Sequence, residues 1–590
     1  MSFIEQNIVN FAIFQPLASA VLVALLPAKE ERQVRVWTFL ALLLNFGISV
    51  WMYSLFVPKG PEFQLETHLR WLPELGMSFH TGVDGLAVSL MLLTGFLGPL
   101  LVLASWTYIH HRIKEFHIAL LVIQCAMMGA LGSLDIILFY VFFEAMLIPM
   151  YLLIGVWGAE ERQLAAVKFF LYTLFGSLLM LVAILAIYFI SQPVGARSFD
   201  YASVYNALIG ANREIAQCRL NAATCANLTP LALTLKTYGP YMFAAFALAF
   251  AIKVPMFPVH TWLPDAHVQA PVAGSMVLAG VMLKMGTFGF WRFAIPLFPN
   301  AAYAWRPALS VLAVIGIVYG ALMCLAQQDI KKLIAYSSVS HLGYCMLGML
   351  AMTSEGASGS AYQMLNHGIS TGALFLLFGF LYERRHTRLM SEYGGIAKVM
   401  PVFTAAFLII TFSSVAVPGT NGFIGEFLVL LGAFKASNYS VYFGVGGAVG
   451  VILGATYMLW MVQRVFFGPL TQAPNLKLKD LSWREGLTAL PFLILVLVMG
   501  VMPQPFLDVL RPSSDRFVAR ANMVTLAGVG NVAEDQKLRM EVKPLELDLA
   551  PVLPGVPQAA PPRMLMPSAE VVPLPPIPAA PGIPPLLAKP

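Results

Sequence analysis

Four strongly apolar stretches each carry an ionisable side chain in the middle. Glu144 lies in IILFYVFFEAMLIPMYLL, with Asp135 at the head of the same run. Lys253 lies in FALAFAIKVPMFP, Lys284 in MVLAGVMLKMGTFGFW and Glu426 in VPGTNGFIGEFLVLL. A charge at the centre of a bilayer costs at least about 2.5–3.5 kcal/mol on insertion scales, so residues of this kind are kept for a partner or a pathway. One buried ion pair could serve packing alone. Two lysines and two glutamates spread over the chain read instead as stations for a proton. His341 in IAYSSVSHLGYCM and His367 in YQMLNHGISTGALF extend the series, because imidazole takes up and releases protons near neutral pH. Haem ligation by the two histidines is disfavoured: no haem-attachment motif is present, and the two positions are expected at different depths. Ser337, Ser338, Ser340 and Tyr344 around His341 could hold water or serve interhelical packing.

The composition requires a membrane setting. Of 590 residues 58% are hydrophobic and only 11% charged, with 41 Phe and 29 Met, and the mean hydropathy is +0.75, which excludes a soluble globular enzyme. The net charge of +6 is spread thinly over short loops and implies no nucleic acid. Cys125, Cys218, Cys225, Cys324 and Cys345 contain no CxxC pair or Cys/His cluster, so no iron–sulfur cluster, zinc site or other redox centre is expected in this chain.

Apolar segments near 11–27, 35–56, 84–106, 116–133, 136–158, 167–190, 241–264, 272–295, 308–328, 329–350, 362–383, 403–435, 441–466 and 486–507 predict an all-α polytopic membrane protein with fourteen transmembrane helices. The seventh contains Lys253, Pro255 and Pro258, and the twelfth Pro418-Gly419, Gly422 and Gly425. Both should be broken, since Pro and Gly open the helical hydrogen-bond ladder. The breaks lie five spans apart, which predicts two inverted five-helix repeats, spans 4–8 and 9–13. The expected organisation is three N-terminal helices (1–115), a first repeat (116–295), an inverted second repeat (308–466), helix 14 (467–510) and a Pro-rich tail (511–590). The tail reads as disordered or polyproline-like, with docking on a neighbour as the alternative. Loops after odd-numbered spans hold most of the Lys and Arg, which puts them in the cytoplasm and both termini in the periplasm of a bacterial inner membrane. The N-terminus lacks a basic n-region and a cleavage site, so the first span reads as a retained helix. Cys218 and Cys225 then fall on the outer side, as a disulfide or as two free thiols.

The strings DGLAVSLMLL, FFEAMLIPMYLLIG, AFAIKVPMFPVHTWLPDAHVQAPVAGSMVLAGVMLKMG, QQDIKKLIAYSSVSHLGY and GTNGFIGEF, between about residues 80 and 470, resemble the antiporter-like subunits of respiratory complex I. Multisubunit cation/proton antiporters share this family. Glu426, where related subunits carry lysine, is similar to the M-type branch of proton-translocating NADH:quinone oxidoreductase. The D-type subunit of a multisubunit Na+/H+ antiporter is similar there too and remains the alternative. The resemblance implies that Glu144 pairs with Lys253, that Lys284 connects the halves, that His341 and His367 are the polar positions of spans ten and eleven, and that Glu426 is the terminal proton residue. It also implies other membrane-arm subunits, above all neighbouring antiporter-like ones, and the lipid bilayer as partners. NADH, FMN, iron–sulfur clusters and quinone would be held by partner subunits, with no cofactor on this chain. Moving one charge against about 200 mV costs about 4.6 kcal/mol, within what separating a buried ammonium from its counter-ion can supply.

Overall fold

The computed structural model describes residues 2–192, 197–437, 439–523 and 540. Thirteen helices among them are long and apolar enough to cross a membrane. The remaining expected span, the twelfth, consists of two shorter helices, Pro401–Ser414 and Asn421–Lys435. Between them Ala416 and Gly419 adopt left-handed backbone, and the Thr420 hydroxyl donates to the Val417 carbonyl at 2.7 Å. The seventh span runs over Pro230–Lys253 and, after a turn segment, continues as Trp262–Gln269. It starts eleven residues before the apolar window because Thr229 caps it and Pro230 takes the first helical position. Both expected breaks are therefore present.

Further irregularities were not expected. The fifth span divides into Ile136–Ala145 and Leu147–Trp157, where Pro149 has no N–H to offer the Ala145 carbonyl. The eighth span, Val272–Leu297, contains π-helical turns over Leu278–Met282 and Phe290–Ala294. This span, together with Ile330–Ala351 and Ser354–Arg385, is almost wholly enclosed by the others, whereas Glu31–Leu55 and Val441–Phe467 lie at the periphery.

The face opposite the basic loops carries what the hydropathy pattern could not express. An antiparallel hairpin, Gln64–Leu72 with Met77–Val83, is the one departure from all-α structure among the described residues apart from isolated bridges. Its turn uses Gly76 at φ +68°, where a Cβ would lie 2.1 Å from the Arg197 carbonyl oxygen. The helix Tyr201–Leu220 follows the sixth span, and Cys218 and Cys225 are disulfide-bonded. The expected tail begins too early. Residues 511–521 belong to a helix, Gln504–Ala521, and the fourteenth span ends at Val501. That helix is amphipathic, so a span search passes over it: Leu507, Leu510, Ser514, Phe517 and Ala521 form one buried stripe. Arg520 makes a bidentate pair with Glu62, and Phe517 stacks on Trp291 at 4.3 Å. The Pro-rich stretch 551–590 lies outside the described residues.

The hairpin is pinned by an imidazole between two acids. His80 Nδ1 lies 2.6 Å from Asp200 Oδ2 and its Nε2 3.1 Å from Glu66 Oε2. Burial works against the charged ring, yet the bonds and charges of Asp200 and Glu66 push His80 up from the ordinary 6.5 to about 9. Stability from this clamp is complete below about pH 6.5 and is lost as pH rises through about 9. Thermal unfolding measured from pH 6 to 10 should therefore show a fall in Tm that His80→Gln abolishes. An unchanged pH profile in His80→Gln would show that the clamp contributes nothing.

Candidate functional site

Each of the four mid-span charges sits beside an interruption of α-helical hydrogen bonding. Glu144 precedes the Met146 turn, Lys253 ends its helix, Lys284 follows the first π turn, and Glu426 follows the break at 415–420. An interrupted ladder exposes carbonyls that a buried cation can use. Lys284 does so: its Nζ donates to the Ala279 carbonyl inside the π turn and lies 2.7 Å from His367 Nδ1.

In the first half Lys253 is buried and Glu144 half-buried. They lie in each other's field but form no ion pair within 4.0 Å, and among the described residues Lys253 Nζ and Glu144 Oε1 have no hydrogen-bond partner. The ammonium rests 4.4 Å from the centre of the Phe143 ring, a contact that partly replaces a counter-ion. The Glu144–Lys253 pair expected from the resemblance is thus open in this structure. Gly286 brings Lys284 alongside: a Cβ there would come within 2.7 Å of the Val254 backbone nitrogen, one residue from Lys253.

The second half is continuous with Lys284. Spans eight and eleven touch backbone to backbone, for a Cβ on Gly368 would lie 2.7 Å from the Gly280 carbonyl oxygen. His367 and His341 lie side by side with ring centres 5.8 Å apart, not at the separate depths expected. His341 Nδ1 is 3.1 Å from Glu426 Oε1, and its Nε2 is 3.3 Å from Ser414 Oγ. Neighbouring hydroxyls serve packing: Ser337 donates to the Ile334 carbonyl, Ser340 to that of Ile317 and Tyr344 to that of Gly447. Lys284, His367, His341 and Glu426 are brought together, while Glu144 and Lys253 form a separate group behind the eighth span.

Sequence reasoning passed over three buried side chains here. Gln363 donates to Glu426 Oε1 at 3.2 Å and accepts from Asn366 Nδ2 at 3.1 Å. His267 stacks on Phe375 with ring centres 4.6 Å apart, and neither ring nitrogen has a hydrogen-bond partner among the described residues. Its signal was the histidine of LPDAHVQAP, inside a string read for its lysines. On the opposite face, His68, His80 and Asp200 have ligand atoms within 4.8 Å of one another. They do not suit a metal, because the His68 and His80 rings stack 16° from parallel at 4.2 Å and their in-plane lone pairs do not converge on one point.

Residues 133–454 match the transmembrane family described as NADH:quinone oxidoreductase/Mrp antiporter. The chain belongs to this family. Among its members, NADH-quinone oxidoreductase subunit M of Rhodobacter capsulatus is 41% identical over 532 residues, covering 88% of this chain and 99% of that protein. NADH-ubiquinone oxidoreductase chain 4 of Marchantia polymorpha is 39% identical over 507 residues, covering 86% and 96%. A chain of respiratory complex I from Thermus thermophilus with bound NADH has a TM-score of 0.75 at 32% identity, over 87% of this chain and 99% of that one. A chain of the Mrp complex from Dietzia sp. DQ12-45-1b, at 18% identity and a TM-score of 0.72 over 89% and 100%, shares the fold.

Gly368 tests the junction. Alanine there meets the Gly280 carbonyl oxygen at 2.7 Å and Leu93 at 2.6 Å, whereas alanine at Gly372 finds nothing closer than 3.7 Å. Gly368→Ala should destabilise by about 1–3 kcal/mol and Gly372→Ala should be neutral or stabilising in thermal unfolding. Equal behaviour of the two would mean that spans eight and eleven are not in backbone contact.

Proposed function

We propose that this chain is an M-type membrane-arm subunit of a proton-translocating NADH:quinone oxidoreductase, and that Glu144, Lys253, Lys284, His367, His341 and Glu426 carry the proton. The single observation behind the path is the line of contacts from Lys284 through His367 and His341 to Glu426, enclosed by the innermost helices. The assignment to NADH:quinone oxidoreductase over the Na+/H+ antiporter alternative rests on 41% identity to a subunit M across nearly its whole length, against 18% to the Mrp chain.

In this reading spans 4–8 and 9–13 are inverted units, the basic loops are cytoplasmic, and both termini face the periplasm. A proton from the cytoplasm loads Lys253, whose charge is held by Glu144 when the two close. Opening of that pair leaves a buried ammonium without a counter-ion and drives its proton towards Lys284. From there it passes to His367 and, through water, to His341, whose ring centre lies 5.8 Å away. His341 hands it to Glu426, which releases it on the outer side. Electron transfer from NADH through FMN and iron–sulfur clusters to quinone belongs to partner subunits. This chain contributes the membrane path, beside neighbouring antiporter-like subunits.

Pumping per quinone reduced, measured with the assembled complex in proteoliposomes, tests the path. Glu144→Ala, Lys253→Ala and Glu426→Ala should each lose most pumping while the complex still assembles. Glu144→Asp and Glu426→Asp should keep part of it, because the charge survives on a shorter arm. Wild-type coupling in Glu144→Ala or Lys253→Ala would remove the first-half switch, and wild-type coupling in Glu426→Ala would move the outlet elsewhere.

A further inference from the structure

Gln363 and Asn366 are amides on the eleventh span with almost no exposure, 2% and 1%, and an amide buried this deeply is unfavourable unless its hydrogen bonds are made. Asn366 Nδ2 donates to the Asn421 main-chain carbonyl at 2.8 Å, which can only accept. The same nitrogen also reaches Gln363 Oε1 at 3.1 Å. That fixes the orientation of the second amide: its oxygen accepts from Asn366, and its nitrogen is the group that meets Glu426 Oε1 at 3.2 Å. Asn421 is held in turn, since Ser413 Oγ donates to its Oδ1 at 2.5 Å.

A glycine makes room for the pair. A Cβ on Gly425, the residue before Glu426, would lie 2.3 Å from Gln363 Oε1 and 2.6 Å from Asn366 Nδ2. The amides occupy the volume that any other side chain would fill. Gln363 Nε2 meets the same carboxylate oxygen that His341 Nδ1 approaches at 3.1 Å.

We propose that Gln363, locked by Asn366, is a positioning residue that reserves Oε1 of Glu426 for hydrogen-bond donors and so places the proton of the acid form on Oε2. A proton handed over by His341 Nδ1 arrives at the oxygen that Gln363 faces, whose N–H cannot accept it, so the carboxyl turns and presents its unprotonated oxygen to Gln363; that carbonyl oxygen then accepts from Gln363 Nε2 and, in the Nδ1–H tautomer, from His341. The inference deepens the proposed outlet at Glu426 and rests on that reading for its importance to pumping. The clamp itself is testable without it.

Infrared difference spectra of the intact complex test the clamp, with the carboxylic C=O band of Glu426 identified by its loss in Glu426→Gln. In the wild type that band should sit at the low-wavenumber end, as for a hydrogen-bonded carbonyl oxygen. Gln363→Met removes one donor and Gly425→Ala displaces the amides without altering either. Both should raise the wavenumber, and Gln363→Met should lower pumping per quinone about tenfold, the order of one hydrogen bond to a charged group. A wild-type band at the position of a carbonyl without hydrogen bonds overturns the proposal without any variant, as does an unmoved band in both variants. A shifted band with wild-type pumping in Glu426→Ala would keep the clamp and overturn the outlet.

Discussion

A charge held inside a helical bundle away from water has to be met by polar atoms of the protein itself, and helices use up their own polar atoms. This conflict shapes the molecule. Every mid-span charge sits where the helix is interrupted: at the Met146 turn, at the end of Pro230–Lys253, after the π turn Leu278–Met282 and after the gap preceding Asn421. Lys284 takes a carbonyl released by the π turn. Glu426 takes a donor from Gln363 and lies against the His341 ring nitrogen Nδ1. Among the described residues Lys253 has the face of Phe143 and no hydrogen-bond partner, the weakest accommodation of the three.

Glycines let the backbones of the inner helices touch. Gly286 sets the eighth span against the break after Lys253, and the Gly280–Gly368 contact sets it against the eleventh. The eighth span thus faces both groups, with Lys284 lying towards His367. Close approach through small residues is how helices associate where lipid supplies no hydrophobic drive. Placing these contacts in the most enclosed helices keeps the effective dielectric low, so opening or closing one carboxylate–ammonium pair changes the energy by several kcal/mol.

Much of this was legible beforehand, and the reasons differ from residue to residue. Glu144, Lys253, Lys284 and Glu426 stand out because charge is rare in apolar runs, and the breaks in spans seven and twelve because Pro255, Pro258, Pro418 and Gly419 cannot continue a helix. The π turns leave no such mark, since LAGVM and FWRFA are ordinary helical sequence. The helix Gln504–Ala521 and the hairpin Gln64–Val83 were missed because a hydropathy window rewards uniform apolarity, and both elements bury only one face. Gln363 and Asn366 were invisible for another reason: an uncharged amide in a span announces itself only through the partners it meets. Ser337 and Ser340 near His341 illustrate the converse, since their hydroxyls donate to the Ile334 and Ile317 carbonyls.

In the proposed path Lys284 and His367 act as one junction between the halves. A double-mutant cycle measures this directly, with Lys284→Met, His367→Phe and the double variant compared for pumping per quinone reduced in the assembled complex. If the junction is a single relay step, either substitution removes what the other would have removed, and the double variant pumps no worse than the poorer single one. Losses that simply add in free energy would contradict the account, because they would mean that the two side chains, 2.7 Å apart, serve separate routes.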